Sequence, residues 1–236
     1  LEELLKKGKK NKLKDVKKIS PKEINQREPF VKANSGILVP EESIVNYLEV
    51  SKKFLDDILN LGGKLILNTK IIKLEDNLNS KVLISSKKER FETDIIIASS
   101  GLYSDKVSEL LGFKTKGKKI IPFRGEYYSL KKEYRYFVKN LIYPVPNPSF
   151  PFLGVHFTKM ISGDVEAGPN AVLAMAREGY NWNTINPSEL FESLKFSGLR
   201  NFIFRYPKTT LSEFMKSISK NLFIKSLKEY IPDLEF

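Results

Sequence analysis

The fold is decided by a stretch that reads IPFRGEYYSL over residues 121–130, LIYPVPNP over 141–148, FPFLGVHFT over 150–158 and GDVEAGPNAV over 163–172. It carries the only histidine of the chain, His156. Short apolar runs bounded by Gly and Pro predict β-strands, and polar groups that interrupt such runs are typical of strands ending at a pocket. The stretch therefore predicts a site built on a sheet, without indicating a reaction by itself.

The first of these runs predicts a strand with two different faces. Alternation along the strand divides its side chains into two sets, with Arg124, Glu126 and Tyr128 on one face and Phe123, Gly125 and Tyr127 on the other. Because Gly125 has no side chain, we expect a flat ring or a backbone segment to pass close to the second face.

Composition bounds the class of protein. The length of 236 residues suits one large domain or parts of two. A hydrophobic content of 41% with 29% charged residues is typical of a globular protein with a core. The absence of cysteine excludes disulfides and thiolate metal sites, and a single histidine excludes a His-cluster metal site within this sequence. No metal ion is therefore expected.

The net charge of +12 raises the question of nucleic-acid binding. Of the 40 basic residues, however, 33 are Lys and only seven are Arg, and the lysines are scattered along the chain. Bidentate phosphate contacts favour Arg, so a diffuse excess of Lys indicates a solvated surface. We expect no nucleic-acid partner, and a basic nucleic-acid-binding module is kept only as an alternative class.

Helix signals are clear in the first 63 residues. Leu1 to Lys10 predict a short helix, and the run Ser20-Pro21-Lys22-Glu23 predicts a second with a capping box that ends near Arg27. A third helix is predicted from Asn46 to the pair Gly62-Gly63. Its apolar residues recur at helical spacing, which makes it the clearest amphipathic helix of the chain.

Strands are expected next. KLILNTKIIKLE (64–75) alternates and predicts a strand that pairs with VLISS (82–86) as a hairpin. The run FETDIIIASSG (91–101) predicts a strand buried on both faces, as in a parallel sheet. Ser104 or Asp105 then caps a helix that closes at Gly112. Strand, small-residue turn and helix can present backbone N–H groups to a nucleotide. The equally weighted alternative is that small residues only allow tight packing of a helix on a sheet.

The C-terminal third predicts helices. Asn186 caps one of them, and two more are expected between Thr210 and Tyr230 with an apolar and a basic face. Inward packing of the apolar side is favoured, and contact with an anionic membrane is the alternative. No apolar run reaches the roughly 18–20 residues of a membrane-spanning helix, and the first residues do not resemble a signal peptide.

Several blocks together resemble a known family. One block resembles the second FAD-contacting motif of the glutathione-reductase-like flavoproteins, in their D-amino-acid-oxidase-like branch. It consists of Thr93-Asp94, the hydrophobic run that follows, the small residues up to Gly101, and GLYSDKV (101–107). Within that branch the chain resembles the L-2-hydroxyglutarate oxidases and dehydrogenases. The blocks that carry this are GILVPEESIVNY (36–47), IPFRGEYY (121–128), LIYPVP (141–146), FPFLGVHFT (150–158), EAGPNAVLA (166–174) and KEYIPDL (228–234).

The resemblance implies an α/β, mixed α+β fold. It consists of part of a Rossmann-like FAD-binding lobe (36–118) and a substrate domain (1–35 and 119–236), with a mixed, largely antiparallel sheet and C-terminal helices. The family's strand–GxGxxG–helix unit, which holds the FAD pyrophosphate, has no counterpart in the sequence. We therefore expect a piece of the enzyme that lacks this first βαβ unit and the C-terminal part, and a non-catalytic remnant is one alternative.

The resemblance also implies a reaction, the FAD-dependent oxidation of L-2-hydroxyglutarate to 2-oxoglutarate. His156 is the candidate base, because imidazole titrates near neutral pH; a hydrogen-bonded core histidine is the alternative. Arg124 suits a carboxylate, and a salt bridge with Glu126 is its alternative. Tyr128 and Tyr143 are candidate ligands for substrate oxygens, although Tyr often only packs its ring. Asn170 is a further candidate, whereas turn chemistry after Gly168-Pro169 accounts for it equally.

The residues that the resemblance implies for cofactor binding are Ile71, Ala98, Ser99, Ser100, Gly101 and Gly125. Ile71 matches a position whose backbone meets the adenine in related oxidases, and it is otherwise a core strand residue. The strand that contains Gly125 lies beside the flavin in this branch.

The expected partners are a small dicarboxylate substrate and an electron acceptor, either oxygen or a membrane quinone. Another flavin-dependent amino- or hydroxy-acid oxidase of the same branch is the alternative function. The compartment expected is the cytoplasm, with peripheral membrane contact left open, or the mitochondrion if the source is eukaryotic.

Overall fold

The fold was analysed in a computed structural model of the chain that describes residues 1–76, 80–147 and 151–234. In chain order, the helices are α1 (Glu2–Lys10), α2 (Pro21–Arg27), α3 (Tyr47–Asn60), α4 (Ser104–Leu110), α5 (Pro187–Lys195), α6 (Ser197–Arg205), α7 (Pro207–Ile218) and α8 (Lys220–Lys228). The strands are β1 (Lys17–Ile19), β2 (Gly36–Leu38), β3 (Ile71–Asp76), β4 (Lys81–Ser85), β5 (Arg90–Thr93), β6 (Phe123–Ser129), β7 (His156–Lys159) and β8 (Val165–Leu173). Helices mixed with antiparallel sheets confirm the predicted fold class.

The chain divides into two compact units. The first contains Leu1–Asn46, Phe123–Leu173 and the described residues from Arg200 onward; the second contains Tyr47–Pro122 and Ala174–Leu199. These bounds differ from the predicted domains in placing 36–46 in the first unit and both 119–122 and 174–199 in the second. The assignment of the two parts to substrate and FAD stays a prediction.

The first unit is built on an antiparallel sheet in the order β6-β8-β7. The strands β1 and β2 form a separate antiparallel pair. Helix α7 packs on β8 and against α8. The core combines sheet residues with the C-terminal segment, and its buried members are Leu130, Phe137, Val138, Val155, Phe157, Val165, Ala167, Phe223, Leu227, Ile231 and Leu234. Burial of these large side chains, worth about 1.5–3 kcal/mol each, fixes the sheet on which His156 stands.

The second unit contains the antiparallel meander β3-β4-β5. A short 3₁₀ helix, Gly101–Tyr103, leads directly into α4. Helices α3 and α5 belong to the same unit.

The local sequence signals for the start of α2 and the end of α3 are confirmed. Ser20 Oγ accepts a hydrogen bond from the Glu23 N–H at 3.3 Å, and Glu23 Oε2 accepts one from the Ser20 N–H at 2.9 Å, which completes the capping box. Helix α3 stops before Gly62, whose φ of +84° favours glycine. These signals act within one turn of chain, so tertiary contacts are not needed to read them.

Two strand predictions are wrong in extent. The strand expected over 64–75 begins only at Ile71, although its pairing with β4 is confirmed. The buried parallel strand expected after Thr93 is also not formed, and Ile97 is 86% exposed. Every strand pairing in the described part of the chain is antiparallel. An apolar run becomes a strand only where a neighbouring strand takes its backbone N–H and C=O groups. Among the described residues, 64–69 and 94–100 take part in no strand pairing.

The predicted cap of α4 is also wrong. Tyr103 occupies the N-cap position and makes no side-chain capping bond, because the 3₁₀ turn before it leads straight into the helix. The carboxylate of Asp105 instead accepts hydrogen bonds from Arg177. It also accepts from the Lys106 N–H at 2.9 Å, but Asp105 lies inside the first turn of α4 and not at its N-cap.

The two C-terminal helices are confirmed, and they differ in burial. Helix α8 buries Phe223, Ile224 and Leu227, whereas Leu211 and Ile218 of α7 stay exposed. Among the described residues, no helix combines the length and the apolar character that crossing a membrane requires.

Candidate active site

His156 begins β7 and is only 6% exposed. Its Nδ1 lies 3.2 Å from the carbonyl oxygen of Gly154. A carbonyl can only accept, so Nδ1 donates and the neutral ring keeps its Nε2 lone pair available. Burial lowers the pKa of His156 below its usual value, and the hydrogen bond to Gly154 opposes this only in part. The site therefore favours a neutral imidazole that carries its lone pair on Nε2, as a general base requires.

Two tyrosines cover this imidazole. The Tyr143 ring stacks on it with centroids 4.4 Å apart, and the Tyr127 ring meets it edge-on at 6.3 Å. Ile142 fixes Tyr143 by exchanging two backbone hydrogen bonds with Phe157. Burial, and then the negative charge of Glu166, raise the pKa of Tyr127, so that its hydroxyl remains protonated. Both tyrosines are about half exposed, which leaves their hydroxyls accessible to a ligand.

A bulge in β8 lies beside these rings. Glu126 pairs with Asn170 and Tyr128 with Ala167, so one residue of β6 stands opposite Gly168-Pro169 of β8. This peptide bond is cis. Pro169 has no N–H for a ladder, and a bulge is where a strand tolerates proline. The turn predicted around Asn170 is therefore wrong, because the residue lies in the middle of the strand.

The bulge also explains a predicted feature of β6. A Cβ on Gly125 would lie 3.1 Å from the Cβ of Pro169, and one on Gly168 would lie 2.8 Å from the Glu126 carbonyl oxygen. The predicted close approach to Gly125 is thus made, within the first unit, by the Pro169 ring. Whether a flavin also approaches this face stays a prediction.

The guanidinium of Arg124 is buried and already paired with a carboxylate of the protein itself. It is 5% exposed, and its Nε donates to Glu126 Oε1 at 2.9 Å. Glu126 also accepts from the Asn170 amide at 3.0 Å and from the Ser217 hydroxyl at 2.8 Å. These contacts are those of the structural salt bridge considered above as the alternative, and direct substrate binding by Arg124 stays a prediction.

Tyr128 faces away from the His156 cluster. Its ring packs on Phe223 of α8 with centroids 4.8 Å apart, within the core of the first unit. The predicted alternation of β6 is confirmed, and it places Tyr127 rather than Tyr128 beside His156.

The second unit contains a cavity of about 750 Å³. Four of the residues predicted to bind the cofactor line it together: Ile71, Ala98, Ser99 and Ser100. The remaining walls are mainly apolar, with two lysines and two other polar side chains: Lys70, Ile72, Leu83, Ile96, Ile97, Tyr103, Lys106, Val107, Leu110, Leu111 and Glu178. Gly101 follows with a φ of +50° and starts the 3₁₀ helix.

A buried ion pair secures the helix next to this cavity. The Arg177 guanidinium donates to both carboxylate oxygens of Asp105 at 2.7 Å, and it also donates to the carbonyl of Leu102. Burial alone would raise the pKa of Asp105, but the hydrogen bonds from Arg177 and from the Ile120 N–H outweigh it and hold this pKa below its usual value. The pair fixes the start of α4, directly after the small residues of the cavity wall.

The cavity fits one part of FAD by its chemistry. Apolar walls from Ile71, Leu83 and Ile97 suit a flat aromatic ring such as adenine, and Ala98 and Ser99 leave room for close approach. A pyrophosphate is usually held by a GxGxxG loop, a pattern that the sequence does not contain. The residues present therefore fit the adenosine part.

Comparison with solved structures first defines the fold. The chain superposes on L-proline dehydrogenase from P. horikoshii with a TM-score of 0.59, covering 85% of this chain and 55% of that one at 16% identity. It superposes on glycine oxidase from Bacillus cereus with a TM-score of 0.55, covering 84% and 52%, also at 16% identity. At this identity the likeness shows the fold alone.

Sequence comparison then gives the family. The family described as "FAD dependent oxidoreductase" matches residues 1–211, and the chain therefore belongs to it. Proteins named L-2-hydroxyglutarate dehydrogenase match at 47% identity in Indibacter alkaliphilus, over all of this chain and 59% of that protein. The Escherichia coli K12 protein of that name is 37% identical over 90% of this chain and 50% of its own length. A Caenorhabditis briggsae protein named L-2-hydroxyglutarate dehydrogenase, mitochondrial, is 41% identical over all of this chain and 55% of its length. The chain thus spans about half to three fifths of the length of these relatives.

Sequence reasoning missed three residues that the structure brings forward. Tyr127 was placed on the correct face by alternation but given no role. Arg177 had a usable signal, because an arginine is uncommon in this lysine-rich chain. Glu213 of α7, a buried carboxylate that accepts a hydrogen bond from the Ala171 N–H, had no such signal, because a carboxylate on a helix with basic neighbours usually indicates a solvated residue.

Proposed function

We propose that this chain is part of an FAD-dependent enzyme that oxidises L-2-hydroxyglutarate to 2-oxoglutarate. The observation that carries the proposal is the 47% identity, over 235 residues, to a protein named L-2-hydroxyglutarate dehydrogenase. The buried, neutral His156 beneath two tyrosines agrees with it, because the substrate hydroxyl needs a base.

The oxidation removes a hydride from C2 of the substrate and a proton from its hydroxyl. A bound FAD would supply the hydride acceptor and the route by which both electrons reach oxygen or a membrane quinone. His156 takes the hydroxyl proton on Nε2, while Nδ1 stays bonded to the Gly154 carbonyl and holds the ring in place. A neutral imidazole is ready for this role without first losing a proton.

Binding and orientation fall to neighbouring groups in the first unit. The hydroxyls of Tyr127 and Tyr143 donate to substrate carboxylate oxygens, and their rings shield the imidazole from water. Arg124, held by Glu126, braces the strand that carries Tyr127. Asn170, on the bulged strand, keeps Glu126 in position.

Cofactor binding falls to the second unit. Ile71, Ala98, Ser99 and Ser100 enclose the adenosine part of FAD in the cavity. Lys70, which lines the cavity, favours the negatively charged phosphates by its charge, whereas Lys106 is paired with Glu192.

The test is anaerobic reduction of the flavin in the purified, FAD-loaded full-length enzyme that contains this chain. L-2-Hydroxyglutarate should remove the visible flavin absorbance within seconds, whereas the D enantiomer should leave it unchanged. Glycine and L-proline serve as control substrates, because the fold is shared with oxidases and dehydrogenases named for them. Bleaching by either of these, without bleaching by L-2-hydroxyglutarate, would refute the proposed substrate and favour another oxidase of the same branch.

A further inference from the structure

Glu213 is a buried carboxylate without a role in the reaction described above. It lies on α7 in the first unit and is 4% exposed. A buried carboxylate costs free energy unless its oxygens are hydrogen-bonded. Its Oε2 accepts from the Ala171 N–H at 2.9 Å, and its Oε1 accepts from Lys216 Nζ at the same distance. One of its two main contacts is therefore to the backbone of the bulged strand.

The hydrogen bond between Glu213 and the Ala171 N–H lies just beyond the point where strand β7 stops pairing with β8. Strand β7 pairs with β8 as far as His156 and Gly168. Beyond this pair, Pro169 has no N–H, and the next N–H on that edge, from Ala171, is taken by Glu213. The carboxylate thus replaces a ladder partner at the point where the sheet loses one.

Helix α7 makes a second contact, to the neighbouring strand β6. Ser217, one helical turn after Glu213, donates to Glu126 Oε1 at 2.8 Å. Asn170 donates to Glu126 Oε2 at 3.0 Å and makes a long contact of 3.5 Å with the carbonyl of Glu213. Residues four apart lie on one face of a helix. Glu213 and Ser217 therefore form a single polar face of α7 that contacts both β8 and β6.

The segment 168–171 lies next to two residues of the site, His156 and Tyr127. Gly168 pairs with His156 on one side, and on the other a Cβ built on it would come within 2.9 Å of Tyr127 Cδ1. Little free space therefore remains between Tyr127, the bulge and His156. A shift of residues 168–171 must change the position of both rings.

We propose that Glu213 is a positioning residue, which acts through Ala171 and the Gly168-Pro169 bulge to set the placement of Tyr127 against His156. Its effect on turnover rests on the proposed function, but its effect on geometry does not. Without the Glu213 carboxylate, the bulge at Gly168-Pro169 is no longer held in place. The Tyr127 ring then moves away from the imidazole of His156, and water reaches the imidazole.

The geometric claim is tested by NMR on the 236-residue chain. His156 is its only histidine, so the imidazole resonance is assigned without ambiguity. In Glu213→Ala we expect this resonance to lose the ring-current shift of its tyrosine neighbours, and the pKa of His156 to rise towards the ordinary value of about 6.5. Glu213→Gln keeps an acceptor oxygen for the Ala171 N–H and should restore both properties.

Glu28 supplies a matched control in the same unit. It is a carboxylate that is 7% exposed and accepts from a backbone N–H, that of Lys139, at 3.0 Å. Glu28→Ala should lower the stability of the unit while the chemical shift and pKa of His156 stay unchanged. If Glu213→Ala does not fold, Glu213→Asp, one methylene too short to reach Ala171, takes its place with the same expectation.

An unchanged His156 resonance in the folded Glu213 variants would overturn the proposal, and so would an equal change in Glu28→Ala. Activity gives a separate readout in the FAD-loaded protein, where Glu213→Ala should lower kcat about tenfold or more, because a misplaced base is a poor one, with a smaller change in KM. If the wild type does not oxidise L-2-hydroxyglutarate, the proposed function fails, while the NMR result still decides the role of Glu213.

Discussion

At the residue scale, His156 is subject to two opposing influences. Burial favours the neutral ring, and the hydrogen bond to the Gly154 carbonyl favours the charged one, with burial the stronger of the two. The same hydrogen bond selects the tautomer with Nε2 unprotonated. One residue thus obtains both its protonation state and its orientation from a single backbone contact and from the rings around it.

Replacing His156 by Gln should reduce kcat by roughly 10²-fold or more, because proton transfer from the substrate hydroxyl loses its acceptor. In the wild type, the acidic limb of kcat/KM against pH should lie below about 6.5, as the lowered pKa requires. Steady-state kinetics across pH check both points. Near-normal turnover of the variant would make His156 a core residue only.

The same pKa shift predicts a dependence of stability on pH. Because the folded state holds His156 neutral, the unfolded chain binds more protons between its own pKa, about 6.5, and the lower folded value. The free energy of unfolding should therefore be fully developed above about pH 6.5 and fall as the pH drops through this window. Urea denaturation at several pH values measures the effect. His156→Gln should flatten the dependence in this window and leave the acid denaturation of the carboxylates unchanged.

At the element scale, helices and strands differ in how far the sequence predicts them. Helix α2 has its Ser20 cap, its Pro21 and its Glu23 within four residues, so a local pattern specifies it. The apolar residues 95–98 also have a regular strand pattern, but no strand pairs with them among the described residues. A strand depends on a second segment distant in sequence, and its own pattern cannot supply this.

The Asp105–Arg177 pair carries a stability prediction for α4. Both side chains are 6% exposed. Asp105→Ala leaves a buried guanidinium without its charge partner and should lower the free energy of unfolding by about 3–5 kcal/mol. The double variant Asp105→Ala/Arg177→Met should lose less than the sum of the single changes, as measured by denaturant unfolding. Strict additivity would mean that the pair is not coupled, and the exposed pair Lys53–Asp57 provides the control, with no measurable loss expected in Asp57→Asn.

At the scale of the whole molecule, the two units contain different parts of the proposed chemistry. The first unit has the imidazole, the tyrosines and the polar network of α7, and the second has the cavity for the adenosine part of FAD. This separation allows the two to be tested independently. The structure divides into two units whose bounds differ from those of the predicted domains, and the assignment of substrate and FAD to them stays a prediction.

The cavity predicts weak nucleotide binding by the 236-residue chain. ADP should bind with a Kd on the order of 1 mM, since apolar walls hold the adenine but no glycine-rich loop holds the phosphates. Ser99→Trp should fill the cavity and abolish binding, whereas Ser51→Trp, at an exposed position of α3, should not. Isothermal titration or NMR measures both. Tight, stoichiometric retention of FAD by these residues would contradict the prediction.

Much of the candidate site was predicted from the sequence, because its residues lie in short, characteristic blocks. His156 and Tyr143 were expected in one site and are in contact, and Ile71, Ala98, Ser99 and Ser100 were expected to bind one ligand and line one cavity. Tyr128 and Asn170 were harder to place. The partners that hold them, Phe223 and Glu213, are 43 residues or more away along the chain.

The sequence by itself determined the family, the capped start of α2, the end of α3 and the two faces of β6, because each depends on residues that are close along the chain. Only the tertiary structure decided which tyrosine covers His156, that Arg124 is paired with Glu126, and that α7 holds the bulge in β8 through Glu213. These outcomes depend on hydrogen bonds that buried polar groups must find wherever the fold places a partner. Burial makes such partners obligatory, and the linear order of residues does not record them.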